Sequence, residues 1–217
     1  MNARLSLALA CCVLAAAAPA AAKDKGAPAA SGEEVACLGV FGPGSSEAML
    51  IETFGADNVV TGTVPGPEGT ELIATTVFPD DPERIMEFGW FDEENFTRLS
   101  YVELSPSQTA PGGVRIGQTV AEVEALNSEP FQVGGFWWDY GGYANIESGN
   151  LAQLEGGCHL SIRFSPSDDY PEDIDVTSVS GEVQVSSDDP LLAEIDTRVQ
   201  VLTLGYPWPD DLPMPQY

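Results

Sequence analysis

Apolar side chains recur at every second position in short runs separated by Gly, Pro and Asp clusters, which confines most of the chain to half-buried β-strands. Residues 84–91 show the pattern, with Met86, Phe88 and Trp90 alternating onto one side. Similar runs at 58–64, 71–78 and 98–104, joined by turns such as Pro79-Asp80-Asp81-Pro82, predict an antiparallel meander. Helical spacing breaks the pattern at 45–55, where a serine offers an N-cap, Gly55 a stop, and Leu50 and Phe54 share a face.

The stretch 105–113, rich in Ser, Pro and Gly, predicts a connector, after which the plan restarts. Thr119 with Glu122 three residues on forms a capping box, in which each side chain satisfies a backbone amide of the other. Val123 and Leu126 give that helix its apolar face, and Asn127 can end it. Strands are expected at 131–133, 136–140, 159–164, 176–185 and 199–204, and a short helix at 189–195 opened by Asp189-Pro190. Both halves thus run from a Gly-Val pair through a polar turn into a helix and then a strand. The expected fold is α+β: two tandem units, 35–104 and 114–206, each a short helix packed on an antiparallel sheet. A proline-rich tail at 207–217 follows.

Residues 1–22 carry one charge, Arg4, then an apolar run from Leu5 to Leu14 and an alanine-rich stretch. This is the layout of a secretory signal peptide, with cleavage expected after Ala22. A Gly/Pro/Ser-bearing linker at 23–34 precedes the fold. No good lipobox precedes Cys11 or Cys12, so a lipoprotein is not expected. The apolar run is too short for a comfortable membrane span, and an integral span is not expected elsewhere. The expected location is periplasmic or secreted. In an oxidising compartment the two remaining cysteines, Cys37 and Cys158, most often pair, with two separate buried thiols as the alternative.

Charge limits the partners. The formal net charge is −26, from 34 Asp and Glu against 8 Lys and Arg. Nucleic acid and anionic lipid both reward Lys and Arg, so neither is an expected partner. Spread along the chain, the carboxylates read first as a solvated, self-repelling surface. Divalent cation or basic-partner binding is the sharper reading. The apolar fraction of 43 % with four Trp and nine Phe separates this chain from disordered acidic tails.

The segment GQTVAEVEALN at 117–127, followed by PFQVGGFWWDYGG at 130–142, resembles a family of uncharacterised secreted bacterial proteins that share an early Phe-Gly-Pro turn, here Phe41-Gly42-Pro43. The family implies no activity. More distantly, GQTVAEVEALN looks like the opening of the BamE/SmpA type of envelope lipoprotein and of β-lactamase-inhibitory-protein-like domains. That likeness implies helices on a small antiparallel sheet and a role in binding other proteins.

Catalytic motifs are sparse. His159 is the single histidine, and its neighbour Cys158 would point to the opposite face of the same strand, against a dyad. No Gly-x-Ser-x-Gly elbow or phosphate loop is present. Calcium is the one metal to consider, through Asp168, Asp169, Asp173 and Asp175 in one loop, although their spacing matches no EF-hand and a solvated acidic loop is the plainer reading. The densest anomaly is GGFWWDYGG at 134–142. Read as a strand, it puts Phe136, Trp138 and Tyr140 on one face and Trp137 with Asp139 on the other. A tryptophan beside a carboxylate suits a protein partner or a glycan, whereas a strand buried on both faces would be purely structural. Candidate binding residues are Trp137, Asp139 and Tyr140. The expected function is a noncatalytic interaction module for an envelope or extracellular protein. A carbohydrate-binding module using the same aromatics is the first alternative. A carboxylate-based hydrolase, pairing Asp139 with Glu147 or Glu155, is the second.

Overall fold

The computed structural model describes residues 34–66 and 69–214. The expected signal peptide at 1–22, the linker at 23–34 apart from Glu34, and residues 215–217 of the expected tail lie outside the described residues.

The fold is α+β, with few helices packed against antiparallel sheets. Helix α1, Glu47–Phe54, starts at Ser46, whose hydroxyl accepts from the Met49 amide, and stops at Gly55, where φ is 87°. It buries Leu50 and turns Phe54 edge-on against Phe78. Helix α2, Val120–Asn127, carries the full Thr119–Glu122 capping box. Asn127, its last residue, is fully buried; its amide donates to the carbonyls of Glu129 and Ser148 and its oxygen accepts from the Leu151 amide. Helix α3, Pro190–Glu194, opens with Asp189 accepting from the Leu191 amide and with proline at the first turn.

Four strands, β1 (Val59–Pro65), β2 (Glu71–Val77), β3 (Met86–Asp92) and β4 (Thr97–Glu103), form the expected meander. Strands β5 (Gln132–Gly134), β6 (Ala144–Asn145), β7 (His159–Ser165), β8 (Gln184–Ser186) and β9 (Arg198–Gly205) follow. The main sheet runs β1-β2-β3-β4-β9-β7, and a smaller one runs β6-β5-β8. The connector at 105–113 therefore separates strands that share one sheet, with β4 paired to β9 at Val102–Leu204.

One face of the main sheet is the core. Phe88, Val102 and Leu204 lie in register across three strands, all fully buried, with Ile162 and Leu202 beside them. Trp90 stacks on Phe88 and donates its indole N–H to Thr75 at 2.9 Å, satisfying both buried polar groups. Phe131 stacks on Phe164 and so joins the segment entering the small sheet to the main one. Cys37, just before a 3-10 turn at Gly39–Phe41, is disulfide-bonded to Cys158 at the start of β7. Along the described tail, Trp208 packs edge-on against Phe91, and Asp211 forms an ion pair with Arg98. No helix among the described residues is long and apolar enough to cross a membrane.

Two expected strands are corrected. Residues 136–140 are not a strand: only Phe136 makes a bridge, to Ser180, and the rest is turn. Trp137 has φ 61°, which ends the alternation that a strand requires. Residues 176–185 divide into a 3-10 turn at Thr177–Val179 and the short β8, because Ser180 and Gly181 wrap round Phe136: the Gly181 amide donates to the Phe136 carbonyl at 2.9 Å.

The other face of the main sheet is polar. Glu87 of β3 and Glu103 of β4 are direct cross-strand partners. Tyr101 lies flat over Gly89, where a Cβ would sit 2.0 Å from its ring, and donates to Glu87 at 2.8 Å. Desolvation against the sheet, then the hydrogen bond and charge of Glu87, hold the Tyr101 phenol well above its usual range. Desolvation and the Glu87 carboxylate likewise raise the Glu103 carboxyl. A carboxyl raised in the folded state ionises at a cost to folding. That cost is absent below the ordinary carboxylate range and complete above the raised value. Glu103→Gln is therefore expected to be more stable than wild type at pH 7, by under about 1 kcal/mol for a like-charge pair at the sheet surface. Urea unfolding at pH 7 and again below the carboxylate range should show that advantage disappear in acid.

Candidate functional site

The loop from Gly135 to Tyr143 between β5 and β6 is held on two sides. On one side the amides of Gly135 and Phe136 donate to the carbonyls of Val183 and Val179, each at 2.8 Å. Gly135 has no room for a side chain, since a Cβ would sit 2.4 Å from the Gly181 oxygen. On the other side the Phe164 amide of β7 donates to the Gly142 carbonyl at 2.7 Å, and the Gly142 amide returns to the Gly134 carbonyl at 3.0 Å. Arg163 reaches across from β7, donating to the carbonyls of Gly141 and Asp139 at 3.0 and 3.1 Å, with its guanidinium 5.2 Å from the Tyr143 ring.

This frame decides which aromatics face water. Phe136 is buried, and Trp138 is half-buried with its indole N–H on the Gly135 carbonyl at 2.9 Å. Trp137, in the left-handed conformation, is 53 % exposed, and Tyr140 is 52 % exposed. A strand would put Tyr140 on the same side as Phe136. The turn closed by the Gly141 amide on the Trp138 carbonyl separates them instead.

Trp137 forms one wall of a cleft of about 590 Å³. The opposite wall is residues 165–176, the stretch that leaves β7. Tyr170 is its aromatic member, with ring centroids 6.1 Å from Trp137 and planes inclined by 55°. Asp168 and Glu172 contribute carboxylates, Ser165 and Ser167 hydroxyls, and Ile174 and Val176 apolar surface. Two features that are about thirty residues apart in the chain, the aromatic turn and the acidic loop, thus meet in one recess.

Of the sequence candidates, Trp137 and Asp168 line this cleft, whereas Asp139 and Tyr140 sit in the adjoining turn. Asp169, Asp173 and Asp175 are exposed in the acidic loop outside the lining. Hydrogen bonds from Thr177 occupy Asp175 and hold its carboxyl below the ordinary range. Among the described residues no three His, Cys, Asp or Glu side chains group in a way that could hold a metal ion. Glu147 is exposed and accepts from Asn145, and Glu155 lines a separate recess beside Cys37 and Leu38. His159 lies over Gly205 on the polar face of the main sheet, with Cys158 held in the disulfide. Sequence reasoning missed Tyr170 and Glu172. Their one available signal was position, in the same acidic loop as Asp168.

A second groove, of about 650 Å³, runs beside Phe54, Phe78 and Arg84. Here the Arg84 guanidinium lies 3.6 Å above the Phe78 ring and 3.8 Å from Asp81, so the aromatic and the carboxylate already share a cation. Comparison with protein families, with curated proteins and with solved structures finds no match.

Proposed function

We propose that this chain is an exported, noncatalytic binding protein that takes its partner into the cleft between Trp137 and Tyr170. The observation that carries this reading is the exposure of Trp137 on a braced turn. A large indole held half in water at φ 61° costs both apolar burial and backbone strain. Aromatics presented on rigid frames are what partner proteins use as anchors, because little conformational freedom is lost when they are covered. Export is supported by the signal-peptide layout of 1–22 and is compatible with the Cys37–Cys158 bond. The resemblance of residues 117–127 to envelope binding domains points the same way.

A glycan is the second reading. Two aromatic rings with carboxylates and hydroxyls around a groove could stack on and hydrogen-bond a sugar. Calcium at the acidic loop would be an accessory to either reading; addition of millimolar calcium should then raise the melting temperature, and an unchanged temperature ends that idea.

The test of the main reading is affinity capture from an envelope extract with wild type and Trp137→Ala, both checked for equal melting temperature. We expect the bound partners to fall at least about tenfold with the variant, as for a central aromatic anchor. Identical partners in identical amounts would remove this surface.

A further inference from the structure

We infer that the ligand of the Trp137 cleft is a cationic side chain, lysine or arginine, on a basic peptide segment of a partner protein. This rests on the binding reading above and names the chemistry that the cleft selects. The chain shows the arrangement completed at another place, where Arg84 lies over the Phe78 ring and against Asp81. The cleft has the same two components, aromatic faces on Trp137 and Tyr170 and carboxylates on Asp168 and Glu172, and no Lys or Arg among its lining residues. Nearby Arg163 is committed to the Gly141 and Asp139 carbonyls. Arg98 is paired with Asp211 and Arg198 with Asp196.

A cation answers both halves of the cleft at once. It is drawn to the negative face of an aromatic ring and to the carboxylates, and its aliphatic stem can cover the apolar surface of Ile174 and Val176. A neutral sugar would stack on the rings yet leave two like charges uncompensated at its edge. The formal charge of −26 adds a long-range pull on basic partners, which salt screens. One cation over exposed rings binds weakly, so the partner must carry several basic residues, one seated in the cleft and the rest held by the surrounding field.

The experiment is fluorescence anisotropy with a labelled octapeptide of alternating lysine and glycine, a serine-glycine peptide of equal length, and, by calorimetry, a neutral β-linked glucose hexasaccharide. The proteins are wild type, Trp137→Ala, Asp168→Asn with Glu172→Gln, and a control that removes the same charge elsewhere, Glu52→Gln with Asp80→Asn, both exposed. At about 20 mM salt we expect the lysine peptide alone to bind. Trp137→Ala and the cleft double variant should each weaken it by about tenfold, the control by under about twofold, and about 300 mM salt should weaken wild-type binding by at least tenfold. Equal losses in cleft and control variants would reduce the effect to overall charge and overturn the assignment, as would no binding by wild type. Hexasaccharide binding that is lost in Trp137→Ala and kept in the double variant would overturn the cationic ligand while leaving the cleft as the recognition surface. Envelope partners kept by Trp137→Ala would instead sink the cleft itself.

Discussion

Replacing Cys37 and Cys158 together by alanine is expected to lower the free energy of unfolding by about 3–5 kcal/mol. The two residues are 121 apart in sequence, so the bond closes most of the folded chain into one loop and removes a large share of the unfolded ensemble. Both are buried, at 1 % and 7 % exposure, so the bond also fills core volume. It ties the segment before α1 to the start of β7, an edge strand of the main sheet. Alanine is preferable to serine in the test, because serine would bury two hydroxyls. Guanidinium unfolding of wild type and variant, each with and without a reducing agent, measures the effect. Reduction should bring wild type close to the variant and leave the variant unchanged. A loss below about 1 kcal/mol would mean that the reduced chain already holds its ends together.

Gly142→Ala is expected to cost about 2–4 kcal/mol and to disturb the turn that carries Trp137 into its cleft. Gly142 has φ 82°, where a Cβ is strained in any surroundings, and the added methyl would sit 2.1 Å from the Phe164 carbonyl oxygen. The obstacle is backbone in β7, so it cannot rotate away. The chain must instead release the hydrogen bond from the Phe164 amide to the Gly142 carbonyl, one of the ties that hold the Trp137 turn. Gly157→Ala is the control. It shares a positive φ, 75°, but has open space around it, so it should carry only the conformational cost. Thermal unfolding of the two variants, with tryptophan emission of the folded state, separates steric from conformational cost. Equal melting temperatures would show that the turn is not held against β7.

These two positions mark how far the amino-acid order could be read. The helices were legible because their ends are local: Ser46, Gly55, the Thr119–Glu122 box and Asp189-Pro190 act within one turn of the residues they cap. The meander β1–β4 was legible because its alternation matches a sheet with one dry and one wet face. The pairing of β4 with β9 was not, since register between strands so far apart in sequence is set by the finished core and leaves no local mark. The like-charge pair Glu87–Glu103 was hidden for a different reason: a register shift between Gly89 and Trp90 alters which residues face each other across the β3–β4 hairpin.

The backbone path of the aromatic segment was less legible. Phe136 to Tyr140 alternates like a strand, but the flanking glycines mark close approaches of backbone: Gly135 against Gly181 and Gly142 against Phe164. Once those contacts form, the segment between them must turn, and Trp137 leaves the strand conformation. Asp168 was legible as part of an acidic loop, and Trp137 as an anomaly. That they line the same cleft depends on β7 carrying one loop to the other.

Trp137 is an indole that stands in water beside carboxylates, and collisional quenching of tryptophan fluorescence tests this placement most directly. Of the four tryptophans, Trp90 is buried, Trp138 and Trp208 are half-buried, and Trp137 is the most exposed. Relative to the quenching of free N-acetyltryptophanamide by the same ion, caesium should quench wild type more strongly than iodide does at equal ionic strength, because cations collect near Asp168 and Glu172 and anions are repelled. Trp137→Phe should remove most of the caesium-sensitive emission. An iodide response larger than the caesium response after that normalisation, or a caesium response unchanged in Trp137→Phe, would contradict the placement of that side chain and the recognition role proposed for it.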